Sequence, residues 1–144
     1  MHRTIIKSKK AELNNADFKK NFEKKVKDTI KKYMLFTKKE KIAVAVSGGK
    51  DSTVLLHLLK KNGYNVEAIT VNALIGKYTD KNLENIKKFC NDLGVRLHVV
   101  SFRDEVGSSM CYLKSVLNSK GVKIKSCSVC GILRRYLITK KAGN

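Results

Sequence analysis

The sequence predicts an α/β fold in which a parallel sheet carries helices on both faces. Three observations support this fold class. Short apolar, β-branched runs alternate with segments whose apolar residues recur every three or four positions. Strands and helices follow one another in turn, which is typical of right-handed βαβ units. The length of 144 residues allows one domain with a modest core and hardly two.

The composition is that of a globular and strongly basic chain. It holds 31 Lys and Arg against 12 Asp and Glu, a net charge of +19, with 42% hydrophobic residues. The absence of proline excludes collagen-like and Pro-rich linker proteins. No apolar run approaches the roughly 20 residues of a membrane span, and no secretory signal is recognisable. We therefore expect a cytoplasmic protein with no membrane partner, whose four cysteines lie in a reducing compartment.

The charge is concentrated at the two ends of the chain. Residues 1–41 carry 14 basic and 5 acidic side chains, residues 42–105 carry 9 and 7, and residues 106–144 carry 8 and none. Such a distribution favours a polyanionic partner such as nucleic acid. The alternative is that the lysines only solvate the surface. Because 26 of the 31 cations are lysine, phosphate contacts are favoured over base readout.

The first predicted element is a basic helix over residues 16–35. Its apolar residues recur at helical spacing, and lysines occupy the other face. We expect the apolar stripe to pack and the basic face to be available to RNA. The stripe consists of Phe18, Phe22, Val26, Ile30 and Tyr33 or Met34. Residues 1–37 are therefore predicted to form a basic helical segment ahead of a domain at residues 38–144.

Three strands and four further helices are predicted after this segment. Apolar runs place the strands at residues 41–46, 65–71 and 95–100. The helices are predicted over residues 52–61, from a cap at Thr79 to Gly94, through residues 106–117, and over residues 127–140. In the last of these helices, Tyr136 and Leu137 are expected to point inward. Ligands of such sheets bind at the carboxyl ends of the strands, so the loop after the first strand is the expected site.

That loop reads Ser47-Gly48-Gly49-Lys50-Asp51-Ser52. The two glycines allow an anion to approach the backbone, and the helix that follows directs free N–H groups and its positive dipole end at the same point. The serine hydroxyls and Lys50 complete a phosphate cradle, and Asp51 fits there if Mg²⁺ lies between carboxylate and phosphate. The alternative is a simple strand–helix turn. The pattern is neither a Walker A loop nor GxGxxG.

Cys127 and Cys130 have the spacing of half a metal site. One CxxC supplies two ligands, whereas a closed zinc or cluster site takes four. The spacing by itself leaves metal binding and redox chemistry open. Arg134 and Arg135, one turn further on, are candidates for contacts with phosphate or RNA, with a plain surface pair as the alternative. The other two cysteines, Cys90 and Cys111, are expected to be small buried hydrophobes.

The hexapeptide at residues 47–52 resembles the PP-loop of the ATP pyrophosphatase superfamily, whose members adenylate a carbonyl oxygen and release pyrophosphate. With CSVCG at residues 127–131 and the Arg134-Arg135 pair, the chain is similar to the TtuA/TtcA group of tRNA sulfurtransferases over about residues 18–136. The resemblance implies a Rossmann-like adenine nucleotide alpha hydrolase fold, of which residues 38–144 form the amino-terminal part. It also implies ATP-dependent tRNA thiolation, in which a pyrimidine C2 carbonyl is adenylated, pyrophosphate is released and sulfur replaces the oxygen.

The resemblance further implies roles for individual residues. The ATP site would comprise Ala45, Ser47, Gly48, Gly49, Lys50, Asp51, Ser52, Val71 near the adenine, and Arg134 at the α-phosphate. Catalytic roles would fall to Lys50, Asp51, Cys127 and Cys130. The same two cysteines would be two of three protein ligands to a [4Fe-4S] cluster, whose third ligand is missing from this chain. The implied cofactors are ATP, Mg²⁺ and that cluster. The implied partners are tRNA, sulfide or a sulfur-donor protein, and a second copy or a complementing chain.

Two departures from the family pattern affect these expectations. Asn14 and Asp17 stand where the group carries Cys and His in an amino-terminal zinc module, so we predict no zinc site there. The family also continues beyond residue 144 into further strands, a GHxxDD-like motif and the third cluster cysteine, so we expect a truncated chain or one completed by a partner. On that basis the isolated chain should bind ATP weakly. The alternatives are PP-loop chemistry on a small molecule and a half-length nucleotide-binding subunit.

Overall fold

The computed structural model describes residues 15–74, 76–122 and 125–143. The chain divides into two compact units, and the boundary between them in the sequence lies between Thr37 and Lys38. Asn14 lies outside the described residues, so the predicted absence of a zinc site there stays a prediction. None of the described helices is long and apolar enough to cross a membrane.

The first unit contains helix α1, Asn15–Lys32. The rings of Phe18 and Phe22 stack with their centroids 6.2 Å apart, yet both side chains are exposed. Ile30 is buried, and Met34 is 88% exposed. The expectation that the whole apolar stripe packs is therefore wrong, because the described part of this unit offers no second element to cover it.

The second unit is built on a parallel three-stranded sheet. Strands β1, Lys41–Ala45, β2, Asn65–Asn72, and β3, Leu97–Ser101, lie in the order β1-β2-β3. Helix α2, Lys50–Lys61, joins β1 to β2, and helix α3, Gly76–Asp92, joins β2 to β3. The register places Val44 opposite Ala68 and Ala68 opposite Leu97. The predicted parallel α/β architecture is confirmed.

Both faces of the central strand are covered. Successive side chains of a strand point to opposite faces, and the neighbours Ala68 and Ile69 are both buried. On one face, Ile69 and Val71 join a core cluster with Leu137 of helix α6, Ser126–Ala142. Helices α2 and α3 also contact β2. The remaining members of the core cluster are Ala73, Val100, Phe102 and Met110.

The start of α3 differs from its prediction. Thr79 is not the helix cap, because α3 begins at Gly76 and contains Thr79. Asn72 Oδ1 accepts a hydrogen bond from Leu74 N at 2.9 Å, and Leu74 adopts a φ of 54°. This tight turn directly after β2 reverses the chain early, so the helix starts sooner than the cap signal indicated.

The predicted helix through residues 106–117 is two helices. Helix α4 covers Phe102–Val106 and ends at Gly107, whose φ is 76°. Helix α5 covers Met110–Ser119, and the Ser109 hydroxyl caps it by accepting a hydrogen bond from Tyr112 N. The single-helix prediction is wrong because a left-handed glycine followed by a capping serine ends one helix and starts another.

Four side-chain placements test the predicted core. Cys90 is 1% exposed, which confirms its role as a small buried hydrophobe. Cys111 is exposed, so the same prediction is wrong there. Tyr136 is 61% exposed, whereas Leu137 is 1% exposed. The inward prediction for Tyr136 is wrong because it lies about 100° around the helix from Leu137, beyond the stripe that packs on the sheet.

Candidate functional site

The loop between β1 and α2 leaves the sheet at its carboxyl end. Val46 N still donates to Ile69 O at 2.8 Å, so the ladder continues up to the loop. Gly48 then adopts a φ of 82°, a left-handed conformation that strongly favours glycine. Gly49 occupies the N-cap position of α2. The turn therefore depends on a glycine at position 48 for its backbone conformation.

The amino terminus of α2 is open to a ligand. No side chain caps it, in contrast to α4 and α5, whose first turns are capped by Ser101 and Ser109. The first helical hydrogen bond runs from Thr53 N to Gly49 O at 3.2 Å, so the amides of residues 50–52 have no intrahelical acceptor. Open amides at the positive end of a helix dipole attract an anion.

Two serine hydroxyls hold the loop in shape. Ser47 Oγ and Ser52 Oγ lie 3.3 Å apart. Ser47 N donates to Ser52 Oγ and Gly49 N donates to Ser47 Oγ, each at 3.3 Å, while Ser52 Oγ donates to Gly49 O at 3.1 Å. The two bonds from amides are long for N–H···O bonds and correspondingly weak. A phosphate oxygen, as a charged acceptor, would compete well for those amides.

A cleft of about 140 Å³ opens beside this loop, at the carboxyl ends of β1 and β2. Four residues that the resemblance assigned to ATP line it, namely Ala45, Ser47, Val71 and Arg134. The other predicted loop residues are outside the lining, and among them Lys50 and Asp51 are exposed on the first turn of α2. The remaining lining residues are Val46, Ile69, Thr70, Thr79, Asn82 and Ile138.

Arg134 brings a positive charge to the cleft from α6. Its Nε atom is buried and has no hydrogen-bond partner within the described part of the chain. A buried unpaired polar group costs free energy unless a ligand satisfies it. A phosphate oxygen is a suitable acceptor for a guanidinium group. Arg135, its neighbour in sequence, is exposed, so the structure separates the two arginines of the predicted pair.

Asn82 of α3 is a site residue that the sequence did not reveal. Its Nδ2 donates to Ser47 O at 2.9 Å, across 35 residues. A Cβ added to Gly48 would overlap with the Asn82 side chain. No motif marks Asn82. The one available signal is its spacing of three residues from Thr79, which puts both polar side chains on one face of the helix after β2.

Cys127 and Cys130 lie near the start of α6. Their spacing to Arg134 and Leu137 follows a three-four-three pattern, which puts all four side chains on one helix face. Cys127 is exposed, and Cys130 is half-buried against the core cluster. At about 1.5 Å per residue, Cys130 lies roughly 6 Å along the axis from Arg134. The two thiols are therefore one to two turns from the cation that lines the cleft.

The cysteine pair alone does not complete a cluster site. Among residues 15–74, 76–122 and 125–143, no group of three or more His, Cys, Asp or Glu side chains is placed to hold a metal ion. A [4Fe-4S] cluster is commonly held by four cysteines. Beside Cys127 and Cys130, the described residues therefore supply no third ligand.

A separate polar cluster lies at the amino ends of the strands. Glu67 of β2 contacts Lys41 Nζ at 2.8 Å and His98 Nε2 at 2.7 Å. The hydrogen bond from Lys41, followed by that from His98, lowers the pKa of the Glu67 carboxyl below its ordinary 4.5. Because Lys41, Glu67 and His98 belong to three strands, these contacts tie the sheet together at the end opposite the loop.

Known proteins resemble this chain in sequence. The sequence model of the PP-loop domain matches residues 18–121. The chain is 42% identical over 125 residues to tRNA-5-methyluridine(54) 2-sulfurtransferase from Pyrococcus horikoshii, and 38% identical over 125 residues to the Thermotoga maritima protein of that name. These alignments cover 87% of this chain but 38% and 40% of the relatives. Cytoplasmic tRNA 2-thiolation protein 1 from Chlamydomonas reinhardtii is 34% identical over 127 residues, covering 84% of this chain and 34% of that protein.

Solved structures resemble it as well. The U34-tRNA thiolase NcsA from Methanococcus maripaludis, solved with its [4Fe-4S] cluster, matches with a TM-score of 0.69 and 31% identity over 84% of this chain and 39% of that one. NH3-dependent NAD synthetase from Campylobacter jejuni matches with a TM-score of 0.60, at 19% identity, over 86% of this chain and 52% of that one, which is a likeness of fold. The chain spans about two fifths of the length of the two sulfurtransferases. Since the domain match covers most of its residues, including the loop after β1, the chain belongs to the PP-loop domain family.

Proposed function

We propose that this chain supplies the ATP-binding part of a tRNA sulfurtransferase. Residues 38–144 act as the amino-terminal part of the PP-loop ATP-binding domain, and residues 1–37 act as a basic segment at the RNA. The observation that carries the proposal is the buried Nε of Arg134, which has no hydrogen-bond partner among the described residues. The Arg134 side chain lines a cleft beside the start of α2, whose N-cap residue makes no side-chain capping bond. An open donor in the cleft and open amides beside it suit an anion with more than one phosphate.

The reaction is adenylation followed by displacement. The pyrophosphate end of ATP lies on residues 47–52, and Arg134 holds the α-phosphate. The C2 carbonyl oxygen of a tRNA pyrimidine attacks the α-phosphorus, and pyrophosphate leaves. The loop amides and Lys50 offset the charge that develops on the leaving group. A sulfur nucleophile then attacks C2, and AMP leaves with the original oxygen.

Asp51 is the residue we propose for Mg²⁺. It lies exposed in the first turn of α2, next to Lys50. A carboxylate so close to an open phosphate cradle would repel a phosphate unless a cation lies between the two. Mg²⁺ at phosphate sites is commonly held by one or two carboxylates together with the phosphate oxygens. Asp51 therefore fits a magnesium ligand that also orients the polyphosphate.

Cys127 and Cys130 are the residues we propose for the sulfur step. They share a helix face with Arg134, so sulfur chemistry at the pair would take place within two turns of the cleft. A bound [4Fe-4S] cluster would supply a site for activated sulfur, with these two thiols as two of its ligands. Sulfide or a sulfur-donor protein would provide the sulfur. A complementing chain or a second copy would contribute the ligands that the described residues lack.

The basic ends are proposed to hold tRNA through its phosphates. Residues 106–144 carry 8 basic and no acidic side chains, and they include the helix that bears Arg134. The substrate would then meet the cleft from the α6 side. A cytoplasmic location is supported by the name of the Chlamydomonas relative.

Nucleotide binding and product identity test the part of the proposal that concerns ATP. Titration calorimetry with Mg-ATP should give saturable binding. Incubation with Mg-ATP and tRNA should release pyrophosphate, and AMP should follow when sulfide is also present. Formation of ADP and phosphate would contradict cleavage at the α-phosphorus. A small-molecule substrate is distinguished by product formation that tRNA does not stimulate.

An iron and sulfide assay tests the part of the proposal that concerns sulfur transfer. After anaerobic reconstitution, the wild-type chain and Cys111→Ala should bind the same amount of iron, because Cys111, on α5, forms no metal-ligating group with the pair among the described residues. Cys127→Ala should lower it. An equal iron content in all three proteins, or none in any, would remove Cys127 and Cys130 from the proposal and leave the part that concerns ATP standing.

A further inference from the structure

The contact between Asn82 and Ser47 fixes one peptide plane of the phosphate loop. Ser47 O can only accept a hydrogen bond, so the amide nitrogen of Asn82 must face it, at 2.9 Å. This bond joins the second turn of α3 to a loop that precedes α2. The bond therefore reaches the loop from a residue outside positions 46–53.

The orientation of that peptide plane sets the direction of the next amide. In a planar trans peptide, the carbonyl oxygen and the following N–H point in opposite directions. Because Ser47 O is held on Asn82, the Gly48 N–H is directed away from α3. The amides of Ser47 and Gly49 bond to serine hydroxyls, whereas the Gly48 amide has no acceptor within the described residues. Asn82 thus aims a free donor of the loop.

Packing strengthens this coupling. The Asn82 side chain lies against the Cα of Gly48, so that a Cβ built there would come within 2.8 Å of Asn82 Cγ. Gly48 is also the loop residue with a left-handed φ, of 82°. The amide of Asn82 therefore restrains a glycine, the residue type with the greatest conformational freedom.

We propose that Asn82 is a positioning residue for the polyphosphate of the bound nucleotide. It acts through the Ser47–Gly48 peptide, which it holds in the orientation that presents the Gly48 N–H to a phosphate oxygen. This rests on the proposed ATP function and adds a residue on a third element to it. The pyrophosphate end of the ligand, and not the adenosine end, depends on Asn82.

The binding experiment compares three variants of the full chain. Asn82→Ala removes both the hydrogen bond and the packing. Asn82→Leu retains a side chain of similar size but removes the donor. Asn85→Ala is the matched control, since Asn85 is an exposed residue of the same type on the same helix. Calorimetric titrations with Mg-ATP, magnesium pyrophosphate and AMP report on the two ends of the nucleotide separately.

Both Asn82 variants should bind Mg-ATP and pyrophosphate about fivefold more weakly than wild type, which is the usual effect of one lost hydrogen bond. Their AMP affinity should stay within about twofold, as should all three affinities of Asn85→Ala. A wild-type affinity of Asn82→Leu for pyrophosphate would overturn the proposal, because packing alone would then suffice. A parallel loss of AMP binding would also overturn it, by placing Asn82 at the adenosine end.

Hydrogen exchange separates this proposal from the ATP function itself. Without any nucleotide, the amides of residues 47–49 should exchange faster in both Asn82 variants than in wild type and in Asn85→Ala. If exchange rises but wild type binds no nucleotide, Asn82 orders the loop and the ATP function fails. If wild type binds Mg-ATP while exchange and affinity are unchanged in the variants, the ATP function stands and the role of Asn82 fails.

Discussion

Arg134 and Ser47 line the same cleft, although one belongs to the last helix and the other to the loop after the first strand. Arg134 contributes a guanidinium group whose Nε is buried and unpaired among the described residues. Ser47 contributes the start of a loop that ends at an uncapped helix. Because both residues line one cleft, the site combines a positive charge from α6 with open amides at the start of α2.

Replacement of Gly48 should damage the site more than the fold. In Gly48→Ala the left-handed φ of 82° becomes strained, and the new Cβ meets Asn82. Gly94→Ala is the control, because Gly94 also has a positive φ, of 60°, but nothing lies within 4 Å of an added Cβ. Gly94→Ala should lose about 1–2 kcal/mol of unfolding free energy, measured by urea titration, and Gly48→Ala should lose at least as much. Mg-ATP affinity should fall at least about tenfold in Gly48→Ala and remain unchanged in Gly94→Ala. Equal affinities would show that the loop tolerates a side chain at this position.

Removal of Arg134 should weaken nucleotide binding without destabilising the chain. A charge-assisted hydrogen bond contributes about 1.5–3 kcal/mol, so Arg134→Ala should bind Mg-ATP and AMP at least about tenfold more weakly. Its thermal midpoint should stay the same or rise, because the variant no longer buries an unpaired Nε. The exposed neighbour provides the control, and Arg135→Ala should retain wild-type nucleotide affinity. A result in which Arg135→Ala weakens binding more than Arg134→Ala would contradict the placement of the site.

The Glu67 cluster should make stability depend on acid pH. Since Lys41 and His98 lower the pKa of Glu67 below 4.5 in the folded chain, the carboxylate form is favoured by folding. Its contribution is therefore complete above the unfolded pKa and is lost as the pH falls through the lowered folded pKa. The difference in thermal midpoint between wild type and Glu67→Gln should be largest from pH 7 down to about 5 and should shrink at more acidic pH. Glu84→Gln, an exposed change on α3, serves as the control, and a Glu67→Gln difference that grew on acidification would reverse the sign of the argument.

Binding of tRNA should fall steeply with salt. Each phosphate neutralised by a cation releases counterions, so a contact with several phosphates weakens strongly as salt rises. We expect at least about a tenfold loss of tRNA affinity between roughly 50 and 200 mM salt, measured by filter binding. Mg-ATP binding, which involves far fewer charges, should change much less in the same buffers. Salt-independent tRNA binding would mean that the net charge of +19 serves another purpose.

Local sequence patterns were sufficient to predict the three strands and the loop after the first of them. The strands at β1, β2 and β3 and the glycine loop follow from contiguous residues, because an apolar β-branched run and a Gly-Gly turn are decided by neighbours in the chain. The break at Gly107 and the early start of α3 were missed, because a turn after Asn72 and a cap at Ser109 compete with the apolar periodicity. The roles of Ala45, Val71 and Arg134 came from family resemblance, and the fold places all three at one cleft.

Long-range packing decided the rest. The sequence alone does not distinguish the adjacent residues Arg134 and Arg135. In the structure, the packing of α6 on the sheet buries Nε of Arg134 and leaves Arg135 exposed. The sequence shows Asn82 as an ordinary helix residue, whereas in the structure a hydrogen bond across 35 residues ties Asn82 to the loop after β1. A helical pattern states which residues share a face, but the surface that this face meets depends on elements far away in the chain. For that physical reason the cleft and its polar partners emerged with the tertiary structure.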